Sequence, residues 1–240
     1  MLCLNNVNSG FPHGKTQKVL HAGISFQLQP GSLLLLAGKN GSGKSTLMRI
    51  LAGLNEPPSG EILIQNKNLH RQSIAERASL LSMMQATPPD VPLTPASEVV
   101  FGGRQRFVSP WKKTESEQFE IAEKAMSRMD LHHLKDRFFN SLSDGEKQKM
   151  MLARCLAQET PVLLLDEPLA FLDYPSRREM LALLRDLCDA ENKIIVYSSH
   201  DLELAMKHCD AMLLLQDGGK FSYMNNKSVI GNLQPETLFE

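Results

Sequence analysis

The chain has 240 residues, 42% hydrophobic and 22% charged, with a net charge of -1. That length suits one large domain or a core with an inserted lobe, and the balanced charge excludes a dominant nucleic-acid surface. The four cysteines, Cys3, Cys155, Cys188 and Cys209, are far apart and form no C-x-x-C pair, which excludes a disulfide framework or a zinc site. No apolar run approaches the roughly 20 residues that span a bilayer. The first six residues, Met1-Leu2-Cys3-Leu4-Asn5-Asn6, lack the basic and long apolar regions of a signal peptide, so a cytoplasmic location is expected.

In chain order, Leu2, Leu4 and Val7 begin an edge-like strand, and Gly10-Phe11-Pro12-His13-Gly14 reads as a turn. Phe11 is either an aromatic face for a base or an ordinary apolar plug. Ile24, Phe26 and Leu28 alternate with Ser25 and Gln27, the pattern of a half-buried strand. After the Pro30-Gly31 turn, the apolar run Leu33-Leu34-Leu35-Leu36-Ala37 enters a glycine-rich loop, and Leu47-Met48-Arg49-Ile50-Leu51-Ala52 leaves it as a helix. The loop, 38–46, reads Gly-Lys-Asn-Gly-Ser-Gly-Lys-Ser-Thr and fits G-x-x-x-x-G-K-[ST] through Gly38, Gly43, Lys44 and Ser45. Glycines let backbone N–H groups turn toward a phosphate chain, and the helix start presents its positive dipole end to the same place. Asn40, Gly41, Ser42 and Thr46 complete the expected phosphate-binding loop; Lys44 reaches the β- and γ-phosphates, and the Ser45 hydroxyl suits Mg²⁺.

Glu61-Ile62-Leu63-Ile64-Gln65 is a short strand, Asn66-Lys67-Asn68 a turn, and 80–85 an apolar strand closing on Gln85. Pro88, Pro89, Pro92 and Pro95 forbid a helix over 86–95 and suggest a hinge-like linker. From there to residue 140 the chain turns helical. Ser97-Glu98-Val99-Val100-Phe101 opens a helix, and Thr114 with Glu117 could box the start of a second. Ile121, Ala125, Met126 and Met129 follow at helical spacing, and 130–140 is a short helical connection. Trp111, the sole tryptophan, lies in the loop between as packing or as a docking residue. Domain limits are set accordingly: a core of about 1–85 and 141–225, with a helical lobe of about 86–140.

Ser141-Leu142-Ser143-Asp144-Gly145-Glu146 leads into a helix with Met150, Met151, Ala153, Leu156 and Ala157 inward. Val162-Leu163-Leu164-Leu165 is continuously apolar, as a strand covered on both faces must be, and ends in Asp166-Glu167. A helix from Pro175 to Asp189 turns Met180, Leu183, Leu184 and Leu187 inward. The next strand, 193–198, closes on Ser199-His200-Asp201. A helix over 202–208, a strand over 211–216 and a hairpin at Asp217-Gly218-Gly219 complete the pattern.

Strand and helix in alternation give a parallel α/β sheet with its ligand at the carboxyl ends of the strands. The phosphate loop, Asp166-Glu167, His200 and Gln85 all sit at such ends. Asp166 is suited to hold Mg²⁺ through water. Glu167, pointing the other way, is free to orient or deprotonate an attacking water, and His200 can contact the γ-phosphate.

The order of Gly38-x-x-x-x-Gly43-Lys44-Ser45, Gln85, Leu142-Ser143-Asp144-Gly145-Glu146, Leu165-Asp166-Glu167-Pro168, Leu172-Asp173 and Ser199-His200-Asp201 resembles that of an ATP-binding cassette ATPase over almost the whole chain. The resemblance implies a phosphate-loop, RecA-like parallel core, an antiparallel β subdomain and an inserted helical subdomain. It implies adenine stacking for Phe11 and a lid role for Gln85, touching Mg²⁺ and the water. Two copies would pair head to tail around two ATPs, Ser143 and Gly145 contacting the γ-phosphate held by the other copy and Asp173 linking the two sites. Transmembrane permease subunits would be the further partners, a substrate-binding protein an indirect one and nucleic acid none. The place of work would be the cytoplasmic face of the cell membrane, held peripherally.

The sequence departs from the family's usual L-S-G-G-Q at Asp144 and Glu146, and Leu169-Ala170-Phe171-Leu172 replaces the usual Thr-Ser-Ala-Leu. These spellings, with Ser97-Glu98-Val99-Val100-Phe101-Gly102-Gly103-Arg104, are similar to those of cassettes serving importers of iron-siderophore, haem and cobalamin compounds. Two alternatives differ in class: a soluble cassette ATPase of repair, translation or cofactor assembly, and a nucleotide-binding scaffold without hydrolysis, against which Glu167 and His200 argue.

Overall fold

A computed structural model describes residues 1–13, 16–108 and 115–239. In chain order the elements are β1 (Leu2–His13), β2 (Thr16–Leu28), β3 (Leu33–Gly38), α1 (Lys44–Leu51), β4 (Ser59–Ile64), β5 (Lys67–Asn68), α2 (Ile74–Leu80), β6 (Leu81–Met84), α3 (Ala96–Phe101), α4 (Glu115–Ser127), α5 (Asp144–Ala157), β7 (Val162–Leu165), α6 (Tyr174–Glu191), β8 (Ile194–Ser198), α7 (Leu202–His208), β9 (Ala211–Leu215), β10 (Phe221–Met224) and α8 (Lys227–Gly231). They build two sheets. One is antiparallel, in the order β2-β1-β4-β5. The other runs β10-β9-β3-β8-β7-β6, parallel from β9 to β6 with β10 antiparallel on its edge.

The apolar runs are continuous because each parallel strand feeds two cores, one residue at a time. Leu33, Leu35 and Ala37 of β3, with Leu163 and Leu165 of β7 and Ile195 and Tyr197 of β8, face a core shared with α3 to α7. Their neighbours Leu34, Leu36, Leu164 and Val196 face a second core, shared with α1 and the antiparallel sheet. Burying one leucine is worth about 1.5–3 kcal/mol, so a one-residue slip would expose half of each strand to the wrong core. Phe26 stacks on Tyr223 at 4.9 Å between ring centres, joining the two sheets.

Several expectations need correction. β1 is an interior strand between β2 and β4, not an edge, since both of its sides are paired. The turn expected at 10–14 is strand as far as His13, with Phe11 paired to Lys18 and Pro12 to Gln17; Gly14 lies outside the described residues. The tight turn before β5 is Gln65-Asn66, both with left-handed backbone (φ 51 and 63), so Lys67 and Asn68 are already strand. On α6 it is Leu181 that is fully buried and Leu183 only half-buried. The expected cap at Thr114 and the environment of Trp111 lie outside the described residues.

Residues 86–95 form no helix, and α3 and α4 then send Val99, Val100, Ala122, Ala125 and Met126 into the core of α5. Arg104, 3% exposed, fastens this packing. Its guanidinium donates to the Gln118 side chain, the Ala157 carbonyl and the Glu159 carboxylate, and lies 4.0 Å from the Phe107 ring centre. Burial pushes the thiols of Cys155, Cys188 and Cys209 up to about 12, so they act as inert apolar side chains.

Candidate functional site

The strands that carry chemistry at their ends are consecutive in the sheet: β3, β8, β7 and β6. The phosphate loop follows β3. Gly38 (φ 155), Gly41 (φ 79) and Gly43 (φ 98) adopt backbone that side chains resist. A Cβ on Gly38 would strike the Ser42 hydroxyl and the Leu215 carbonyl, and one on Gly43 would meet Leu20 at 2.9 Å. Gly43 caps α1 without any side-chain hydrogen bond among the described residues, which leaves N–H donors at the helix start for an anion. The Ser42 hydroxyl is buried under the loop with no partner there, and Ser45 is exposed at its mouth. Asn40 is exposed beside it and Thr46 half-buried. Lys44 donates to the Gly38 carbonyl at 2.8 Å and to the Lys39 carbonyl at 3.1 Å. Burial lowers its pKa, while Glu167 and Asp166 pull it back toward the charged form. An ammonium resting on loop carbonyls is ready to exchange them for phosphate oxygens.

Asp166 and Glu167 follow β7, and their side chains meet different partners, Ser198 for Asp166 and His200 for Glu167. β7 and β8 are in register at Leu165 and Tyr197, so the next residues, Asp166 and Ser198, come side by side. The Ser198 hydroxyl donates to Asp166 at 2.7 Å and accepts the Glu167 N–H at 2.8 Å. Glu167 itself has left-handed backbone (φ 53), and its carbonyl accepts from the Ala170 N–H and, at 2.7 Å, from the Gln148 amide. Its Oε1 is buried, lies 3.1 Å from His200 Nε2, and has no aligned hydrogen-bond donor among the described residues. Burial raises the Glu167 pKa above its ordinary value; His200 and Lys44 oppose that shift and Asp166 adds to it. A desolvated carboxylate of raised pKa, beside a lysine and a histidine, is equipped to take a proton from water.

The structure brings the phosphate loop, Asp166, Glu167 and His200 together; the pairing of Met84 with Leu165 brings Gln85 next to Asp166, and Ser143, Gly145 and Asp173 lie in a cleft of their own. Gln85 ends β6 but is exposed, in a groove with Met83, Thr87, Pro89, Met151, Arg154, Cys155 and Gln158. Phe11 is half-buried, with the Lys18 ammonium 5.9 Å from its ring centre. Ser143 caps α5 in a reciprocal box: its hydroxyl and N–H donate to Glu146, and it accepts the Glu146 N–H. The bonds from Ser143 hold the Glu146 carboxyl below its usual range. Gly145 sits against the Phe171 carbonyl, which a Cβ would meet at 3.2 Å. Asp173 caps α6 by accepting from the Ser176 N–H at 3.0 Å, which lowers its pKa. Ser143, Gly145 and Asp173 line one cleft of about 610 Å³, with none of the phosphate-loop residues in its wall. Asp144 is exposed, 3.7 Å from the Lys147 ammonium, and lines the same cleft, so it adds negative charge beside Ser143 and Gly145.

Sequence reasoning missed Ser198 and Gln148. Ser198 was visible only as the last residue of a strand, and Gln148, fully buried in α5, only as a polar residue on an otherwise apolar helix face.

The donors around Asp166 and Ser45 are oxygens, and no cluster of three His, Cys, Asp or Glu exists among the described residues to cage a metal. That chemistry fits Mg²⁺, which binds through one or two protein oxygens with phosphate and water supplying the rest.

Comparison with known proteins agrees with this geometry. The family model described as ABC transporter matches residues 21–170. The achromobactin transport ATP-binding protein of Dickeya dadantii is 32% identical over 94% of this chain and 84% of its own. The hemin import ATP-binding protein of Pseudomonas fluorescens is 36% identical over 92% of this chain and 86% of its own. A solved inward-facing structure of an ABC transporter, described as metal-chelate type, superposes with a TM-score of 0.81 at 27% identity, over 99% of this chain and 86% of that one. With its phosphate loop, paired carboxylates and neighbouring histidine assembled at one sheet edge, the chain belongs to the ABC transporter family as an ATP-binding, ATP-hydrolysing member.

Proposed function

We propose that this ATPase drives an importer of metal chelates of the iron-siderophore, haem or cobalamin type, as a head-to-tail pair of copies holding two ATPs. The observation that carries the paired reading is the division of the site. The cleft lined by Ser143, Gly145 and Asp173 contains no phosphate-loop residue, so a γ-phosphate reaching Ser143 has to be carried by another molecule. The import reading rests on the relatives named for achromobactin and hemin.

In each site the loop 38–46 and Lys44 hold the phosphates, and Phe11 stacks on the adenine. Ser45, Asp166 and Gln85 would hold Mg²⁺, which would supply positive charge against the phosphates. Glu167 takes the proton of the attacking water, and His200 steadies the γ-phosphate. Residues 86–140 form the lobe that grips the permease; support comes from the groove that Gln85 shares with Met151, Arg154 and Cys155 of α5, the helix on which α3 and α4 pack. No helix among the described residues is long and apolar enough to cross a membrane. In the proposed assembly the chain meets the membrane through the permease.

The test is reconstitution with the permease in vesicles, with uptake of a ferric siderophore, haemin and cobalamin measured against ATP. Accumulation of one of these that fails in Lys44→Ala supports the reading. Uptake of none of them, with ATP hydrolysis intact, refutes the cargo class. Full hydrolysis by a stable monomer refutes the pair.

A further inference from the structure

Gln148 is completely buried on α5, in a helix face otherwise filled by Met151, Leu152 and Cys155. Its amide Nε2 donates to the main-chain carbonyl of Glu167 at 2.7 Å. Its Oε1 is buried without any hydrogen-bond partner among the described residues. An apolar side chain of similar volume would fill the same space without leaving an acceptor unpaired. What the amide adds is therefore the single bond it donates. The orientation is unambiguous, because the flipped amide would set its oxygen against the Glu167 carbonyl.

That bond falls on a residue whose backbone needs holding. Glu167 is in the left-handed region (φ 53), which a non-glycine residue keeps only when its surroundings impose it. Ser198 holds the N–H side at 2.8 Å, and the Ala170 N–H and Gln148 hold the C=O side. With the peptide planes on both sides of the Cα fixed, the Cα–Cβ bond is fixed too, and from it the carboxylate reaches to 3.1 Å from His200.

We infer that Gln148 is a positioning residue for hydrolysis, its amide locking the Glu167 main chain so that the carboxylate points at the attacking water. The lock comes from the helix whose first turn carries Ser143 and Gly145, so the half-site offered to a second copy and the base of the chain's own half-site share one rigid element. This inference rests on the proposed role of Glu167 as the base.

The experiment compares Gln148→Leu, Gln148→Glu and Glu167→Gln with the unaltered chain, in phosphate release and in ATP-driven dimerisation. Dimerisation of Gln148→Leu is read in the Glu167→Gln background, where ATP is not consumed. Gln148→Leu is expected to lower kcat by about tenfold or more, with KM for ATP within about twofold and dimerisation unchanged, since a misdirected base slows chemistry and leaves binding alone. In Gln148→Glu only the protonated acid can donate to the Glu167 carbonyl. Its kcat relative to the unaltered chain should therefore rise as pH falls from about 8 to about 6, a rescue that Gln148→Leu cannot give. An unchanged kcat in Gln148→Leu overturns the inference, as does a loss of kcat fully matched by loss of dimerisation. Normal turnover in Glu167→Gln overturns instead the assignment of the base.

Discussion

Two helix starts in this protein, both assigned to phosphate in the proposed function, are built in opposite ways. α1 begins at Gly43, in left-handed backbone (φ 98), with no side-chain cap and no acid in its first turn. α5 begins at Ser143, in extended backbone (φ -63, ψ 160), boxed by Glu146 and with Asp144 and Glu146 in its first turn. The first leaves its N–H groups for an anion, with Lys44 waiting on loop carbonyls. The second satisfies its own serine and stands in an open cleft. A helix start that is complete by itself engages phosphate only when a better acceptor displaces its cap. In the proposed pair, the difference would separate a primary binding loop from a surface used on assembly.

The largest effect that would sharpen this contrast belongs to the α1 side. Glu167→Gln should reduce phosphate release by about 10²–10⁴-fold while equilibrium ATP binding survives, because only the proton acceptor is lost. Ser143→Arg acts on the α5 side. It should leave ATP binding by the isolated chain nearly intact and abolish the hydrolysis that depends on pairing; a titration of rate against protein concentration reads this. If it also removed ATP binding, the two helix starts would serve one phosphate in one chain, and the contrast would fail.

The acid limb of kcat is a finer probe. Burial raises the Glu167 pKa, so more of its carboxylate is protonated near neutrality than for an ordinary glutamate. Hydrolysis should fall as pH drops through that raised value, above the 4.5 of an unperturbed glutamate, and Glu167→Gln should lose the limb. Phe11→Ala should weaken ATP binding by about 2- to 10-fold, the worth of an aromatic stack, measured by nucleotide titration.

The smallest effect concerns the cap. Glu146→Ala breaks the box on α5 and should cost about 1 kcal/mol, a few degrees in Tm. Because the folded-state pKa of Glu146 is depressed, this contribution is present above its unfolded pKa and is lost as pH falls through the folded value. The Tm difference between Glu146→Ala and the unaltered chain should therefore shrink in acid.

Much of the molecule was legible in the sequence because the relevant physics is local. The phosphate loop needs glycine, lysine and hydroxyl at set spacings. The strands before Asp166 and His200 must be apolar on both faces. Those residues, and the strand ends they occupy, follow from the order of the chain alone. The interior place of β1 was hidden, since its Leu2, Leu4 and Val7 read the same whether one side is paired or two. The reach of the strand through Phe11 was hidden too, because Gly10, Pro12 and His13 carry turn chemistry that cross-strand pairing with Gln17 and Lys18 overrode.

By itself, then, the sequence determined where the phosphate-loop motif lies, which acids follow β7, and which helix starts at Ser143-Asp144-Gly145. Only the tertiary structure decided how Asp166 and Glu167 divide their tasks. That division depends on Ser198 arriving from β8, 31 residues after Glu167, and on Gln148 arriving from α5, 19 residues before it. Register between parallel strands and the seating of a helix on a sheet are set by packing of whole faces. No spacing along the chain encodes which buried amide meets which carbonyl.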